Sequence, residues 1–193
     1  MNPILFVHGI GGNDEQYQPI IKYLKEKGIK DFYEFEYINK FGLAPIKEVA
    51  KELAEFIDKN VKEKNINIIA ISQGGIIALA YLKFYLPATG KNINVDKLFT
   101  ICTPHKGSKL AKIADLPGFI DLRPNSALLK ELEIFGKENK LNLYSIYTPF
   151  DLMVYPGWHA RAKYGKRKII FAPGHASSLS WKPVMKFIYK NLI

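Results

Sequence analysis

The chain is short of the residues that would define several protein classes. It has 193 residues and one cysteine, Cys102, so no disulfide can form within it and no thiolate cluster can hold a zinc ion. No apolar run approaches the roughly 18 residues that a membrane-crossing helix needs. Only Arg123, Arg161 and Arg167 are arginines. Lysine supplies the rest of the positive charge, and arginine is the residue suited to bidentate contacts with bases and phosphates. The excess of 28 basic over 18 acidic side chains is therefore read as a solvated lysine surface, and no nucleic-acid partner is expected. The first residues, MNPILFVHGIGG, lack the basic head and small-residue cleavage site of a secretory leader, which makes a cytoplasmic location the default expectation. What remains is ordinary for a folded domain: 48% hydrophobic and 24% charged, in a chain long enough to bury a core without staples.

Apolar runs alternate with amphipathic stretches. Residues 4–7, 32–37, 66–71, 95–102, 141–147 and 167–171 read as six strands. Helices are expected over 16–27, 45–64, 73–86 and 179–192. The helix at 73–86 is apolar all round and so should lie buried. This alternation predicts an α/β protein, a three-layer α/β/α sandwich around a mainly parallel sheet of about six strands. One domain is expected to span 1–193. Residues 104–136 are the candidate insertion, read either as helices packed on the sheet or as a helical cap with an acyl-binding face.

Four short blocks carry chemistry. Ala70-Ile71-Ser72-Gln73-Gly74-Gly75 lies between a buried strand and a buried helix, the setting of a turn that lifts a serine hydroxyl above a sheet. Ala70 and Gly74 are small, as the crossing of strand and helix demands. The plain alternative is a serine that only caps the helix. His8-Gly9-Ile10-Gly11-Gly12 follows the first strand, and its main chain could aim an N–H at a developing oxyanion. The expected donors are the N–H groups of Ile10 and Gln73. Asp151 and His175 each follow a strand, which completes the order Ser72, Asp151, His175. All three fall at carboxyl ends of strands, where open α/β sheets place their sites. His8, His105 and His159 compete for the role of base, and Asp115 and Asp121 for that of acid. His8 is read as bracing its loop. His105 and Trp158 are candidates to line the substrate pocket, though Trp158 serves equally well as packing.

These blocks, VHGIGG at 7–12, AISQGG at 70–75, SIYTPFDLMVYP at 145–156 and PGHASSL at 173–179, resemble the small bacterial lipases of the Bacillus type within the α/β-hydrolase superfamily. The resemblance spans nearly the whole chain. It implies the minimal α/β-hydrolase fold and cleavage of acylglycerols and small esters without a cofactor; related lipases sometimes hold calcium, but the sequence shows no ligand cluster, so no metal is expected. It also implies Ser72 as nucleophile, Asp151 as acid, His175 as base, and Ile10 with Gln73 as oxyanion hole. Two departures stand out: Ile71 replaces the histidine that usually precedes the serine, and residues 102–132 add material that the lidless small lipases lack. Those residues resemble larger lipases and acyl hydrolases of membrane lipids. The expected reaction is hydrolysis of a carboxylic ester through an acyl-enzyme. The alternatives are a thioester, an amide or a complex lipid as substrate, or, in another class, a non-catalytic module that meets anionic lipid surfaces through its lysines. The sequence leaves the oligomeric state open.

Overall fold

The computed structural model describes residues 1–37, 42–88 and 93–193. Its six strands are β1 (Ile4–Val7), β2 (Phe32–Phe35), β3 (Asn65–Ile71), β4 (Asn94–Ile101), β5 (Leu143–Tyr147) and β6 (Lys166–Ile169). They form one sheet in the order β2-β1-β3-β4-β5-β6, and every neighbouring pair is parallel. The chain thus starts near the centre, runs to one edge, returns, and then moves steadily to the other edge. Parallel neighbours require crossovers, and the helices that supply them cover both faces. The expected α/β sandwich is the architecture observed.

Alternation along the strands explains why both faces are apolar. Leu5, Val7, Ile68, Ala70 and Leu98 point into a core with the helices α2 (Ile46–Asn60), α3 (Gln73–Ala80) and α5 (Ala127–Glu138). Their neighbours Ile4, Phe6, Ile69, Ile71, Phe99 and Ile101 point into the opposite core, under α1 (Gln18–Glu26) and α6 (Lys182–Leu192). Each fully buried aliphatic side chain contributes roughly 1.5–3 kcal/mol by leaving water, so the two cores together anchor the central strands. The central strand β3 is buried at every position after Asn65, as a strand with helices on both sides must be. Every residue of α3 is buried as well, in keeping with its uniformly apolar sequence.

The elements depart from expectation mainly at their ends. The buried helix does not run unbroken to residue 86. Regular α-helix stops at Ala80, a π-turn covers Tyr81–Tyr85, and a short 3-10 turn at Leu86–Ala88 contains the proline that ends it. The last helix starts at Lys182 rather than 179, with Pro183 in its first turn. Residues 104–136 are not one cap. The 3-10 turn Lys109–Lys112 and the helix α4 (Pro117–Asp121) form loop structure near the carboxyl edge of the sheet. By contrast α5 is a layer helix, with Leu128, Leu129 and Leu132 packed into the same core as Ile76 and Leu79 of α3. Ser126 caps α5 by accepting the Leu129 N–H at 3.2 Å.

Candidate active site

Ser72 occupies the sharp bend between β3 and α3 with φ 56° and ψ −130°, a left-handed conformation that costs a non-glycine residue of order 1–3 kcal/mol. The strain is held in place from both sides. The Ser72 N–H donates to the Ile101 carbonyl of β4 at 2.8 Å, and the Gly75 N–H returns to the Ser72 carbonyl at 3.2 Å. A Cβ at position 74 would stand 2.1 Å from the Val7 carbonyl oxygen, and one at position 75 would stand 2.1 Å from Thr103 Oγ1. Both glycines are thus required by the approach of α3 to β1 and to the segment after β4. The Ser72 side chain makes no capping hydrogen bond to α3, so the plain helix-cap reading of this serine does not describe it.

Asp151 is fully buried in the loop after β5. Its Oδ1 accepts the N–H groups of Met153 at 2.9 Å and Val154 at 2.8 Å, which leaves Oδ2 to accept the His175 Nδ1–H at 2.8 Å. A carboxylate can only accept, so this bond places the ring proton on Nδ1 and turns Nε2 outward as an acceptor. The His175 side chain is 15% exposed, while that of Asp151 is fully enclosed. Cys102 sits behind this pair, and one ligand atom from each of Cys102, Asp151 and His175 lies within 4.8 Å of the others. Burial, and then the negative charge of Asp151, push the Cys102 thiol far above its ordinary range. It therefore stays protonated, bonded toward Ser178 Oγ at 3.4 Å, and is ill-suited as a metal ligand, which must be a thiolate.

Ser72 and His175 open onto one cavity of about 460 Å³, with Gly9 and Ile10 on its first-strand side. Among the described residues no hydrogen bond joins Ser72 Oγ to the His175 ring; such contacts commonly tighten only when substrate binds. The backbone N–H of Gln73 opens α3, where the helix dipole adds positive potential. Among the described residues neither it nor the N–H of Ile10 is taken by a backbone acceptor. Apart from Gln16 and Ser108, the rest of the cavity wall is apolar, with Ile71, Leu110, Ile113, Phe119, Leu122 and Val154 among its larger members. Periodicity could not single out these wall residues, because they come from a strand end, a short helix and several turns rather than from one helical face.

The competing residues are occupied elsewhere. His8 is buried, its Nδ1–H donates to the Gly9 carbonyl at 2.9 Å, and its ring stacks on Tyr37 with centroids 4.3 Å apart. It braces the glycine loop, as expected. Asp121 accepts the Ile46 N–H at 2.9 Å and so satisfies the start of α2, while Asp115 pairs with Arg123. His159 Nδ1–H donates to the Gly107 carbonyl at 2.8 Å. Two expectations need correction. His105 does not edge the Ser72 cavity; it lines two other cavities, with Nε2 bonded to Thr100 Oγ1 at 2.9 Å. Trp158 is 60% exposed and is not part of the Ser72 cavity wall either. For His105 the reason is the loop 104–108, whose first residue, Pro104, faces Ser72 while the next turns away.

The all-parallel sheet, the strained serine bend and the helix layers define an α/β hydrolase. The sequence model of the palmitoyl protein thioesterase family matches residues 3–150, and the chain belongs to that family. Solved structures agree in fold. The mature Bacillus licheniformis lipase BlEst2 superimposes with a TM-score of 0.75 at 16% identity, over 99% of this chain and 91% of that one. MGS-MChE2, an α/β hydrolase from a lagoon-sediment metagenome, gives 0.71 at 20% identity over 99% and 90%. Phospholipase PlaB from Legionella pneumophila, solved with thio-NAD, gives 0.65 at 16% identity over 77% of this chain, which spans only 38% of that protein. Among the described residues no helix is long and apolar enough to cross a membrane.

Proposed function

We propose that the protein is a serine hydrolase that cleaves acyl esters and thioesters through an acyl-enzyme on Ser72. The observation that carries this reading is the shared cavity: a serine hydroxyl on a strained bend opens into the same space as an imidazole whose other nitrogen is held by a buried carboxylate. A free serine is a weak nucleophile and needs such a base.

In this reading Nε2 of His175 takes the Ser72 proton as Oγ attacks the acyl carbonyl. Asp151 holds the ring in the productive tautomer and stabilises its cationic form. The N–H groups of Ile10 and Gln73 receive the oxyanion, each worth about 3–4 kcal/mol of barrier by analogy with known oxyanion donors. The imidazolium then protonates the departing alcohol or thiol. The acyl group stays on Ser72 until His175 activates a water that releases the acid. The apolar wall of Leu110, Ile113, Phe119 and Leu122 suits an acyl chain rather than a sugar or peptide backbone. Membership of a thioesterase family favours the thioester among leaving groups, and nothing in this geometry disfavours an oxygen ester, since both pass through the same tetrahedral oxyanion.

The test combines a fluorophosphonate probe with a panel of p-nitrophenyl esters of increasing chain length, an acyl thioester and an acyl amide. Labelling confined to Ser72, together with turnover of ester and thioester, is the expected result. An unlabelled Ser72, or full hydrolysis by Ser72→Ala, would overturn the assignment.

A further inference from the structure

A second cavity, of about 540 Å³, lies on the far side of the loops that wall the Ser72 site. Pro104 and Leu122 face Ser72, whereas their near neighbours His105, Lys106, Pro124 and Asn125 face this space. Its remaining walls are one side of α5, with Leu129, Lys130, Glu133 and Ile134, and the segment that holds His159 and Lys163. The cavity is tied together by bonds between its walls. The Lys106 N–H donates to the His159 carbonyl at 3.0 Å, His159 Nδ1–H donates to the Gly107 carbonyl at 2.8 Å, and Lys163 pairs with Glu133 at 2.9 Å.

Its charge is one-sided. Three lysines, Lys106, Lys130 and Lys163, line it, and among the described residues Glu133 is its one acid. Glu133 is already engaged by Lys137 at 2.5 Å and by Lys163. No carboxylate among the described residues pairs with Lys106 or Lys130. Burial, followed by the positive charges of Arg161, Lys163 and Arg167, draws the Lys106 ammonium below its ordinary pKa, and the charge of Glu133 opposes this only in part. Like charges held together around a concave, partly desolvated space focus their field into it.

We infer that this cavity is a binding site for a phosphate-bearing ligand, separate from the site of acyl hydrolysis. Three lysines converging from different elements suit a compact, multiply charged anion, for which lysine serves as a point-charge partner. A single carboxylate would leave most of that charge unanswered. Apart from Pro124, Leu129 and Ile134 the lining side chains are charged or polar, which suits a phosphate group or a phosphorylated head better than an acyl chain. Two sources share this chemistry: a free phosphate compound and a phospholipid headgroup.

The experiment is calorimetric titration of the full chain with inorganic pyrophosphate, alongside flotation with phosphatidylcholine vesicles made with or without phosphatidic acid. Lys106→Gln/Lys130→Gln removes the two unpaired cations and leaves the Lys163–Glu133 pair in place. Lys22→Gln/Lys186→Gln removes the same charge from exposed positions on α1 and α6, across the sheet. Pyrophosphate binding that weakens at least tenfold in the first variant and stays unchanged in the second is the expected result, with melting temperature and p-nitrophenyl ester hydrolysis preserved in both. Acid-dependent vesicle binding lost in the same variant assigns the ligand to a headgroup, and its absence assigns it to a soluble phosphate; either supports the site. No pyrophosphate binding at millimolar concentration, or equal weakening in both variants, would overturn it.

Discussion

The two cavities flanking the loop 104–108 are built from the same short stretches of chain, yet they differ in almost every physical respect. The one beside Ser72 is walled by Ile71, Leu110, Ile113, Phe119 and Leu122, and its polar side chains are few: Gln16, Ser72, Ser108 and His175. The one beside Lys106 is walled by lysine, histidine and glutamate around a smaller apolar floor. The first derives its chemistry from geometry: a strained backbone, two open N–H groups and an imidazole fixed by a carboxylate. The second derives it from an unbalanced sum of charges. The comparison teaches that a five-residue loop can separate an apolar reaction chamber from a cationic cavity, because neighbouring residues along an irregular segment can face opposite sides: Pro104 and Ser108 line the first, His105 and Lys106 the second.

Perturbing the first cavity should give the larger effects. Ser72→Ala should lower kcat for ester hydrolysis by at least about 10⁴-fold with the fold retained, as read by steady-state kinetics and circular dichroism. Gly74→Ala should act through the fold rather than the chemistry, because its Cβ meets the Val7 carbonyl oxygen at 2.1 Å. A loss of about 2–4 kcal/mol is expected from such overpacking against backbone, read as a lowered midpoint of denaturant unfolding. Ile113→Asp is milder. Ile113 is 81% exposed at the rim, so the fold should tolerate the change, while kcat/KM for long-chain esters should fall roughly tenfold and that for acetate esters should hold.

The most gradual effect, spread over several pH units, belongs to the border between the cavities. Burial, and then the charge of Lys106, lower the His105 pKa to about 3. The folded protein therefore keeps this ring neutral where an unfolded chain, with a histidine pKa near 6.5, takes up a proton. The stability this represents is complete above about pH 6.5 and is lost as pH falls from there toward about 3, at no more than about 1.4 kcal/mol per pH unit. His105→Asn should flatten that part of the stability–pH curve, measured by urea unfolding at stepped pH. An unchanged slope would mean that His105 is not the group responsible.

Much of the site was legible in the chain. Ser72 between an apolar strand and an apolar helix, with Gly74 two places on, reads as a tight bend because only small residues let those elements cross. Asp151 and His175 read as partners because each follows a strand at its carboxyl end. Six strands were recognisable for the same reason: buried parallel strands are short, continuous and β-branched. The π-turn at Tyr81–Tyr85 was not, since its residues suit an α-helix equally well. Nor were the two sides of 104–136, where α5 joined the layer while Leu110, Ile113 and Phe119 turned to the cavity. His105 was placed in the wrong cavity because nothing local reveals on which side of a loop a side chain falls.

Local pattern alone therefore determined the order of strands and helices, the serine bend and the two residues that follow β5 and β6. These depend on nearest-neighbour sterics and on the period at which apolar residues recur, and both are written along the chain. The tertiary structure alone decided that Asp151 would bond His175 at 2.8 Å, that a protonated Cys102 would stand behind them, and that lysines distant in sequence would line one shared space. Those outcomes depend on distances between segments tens of residues apart, which only the packing of helices onto the sheet can set.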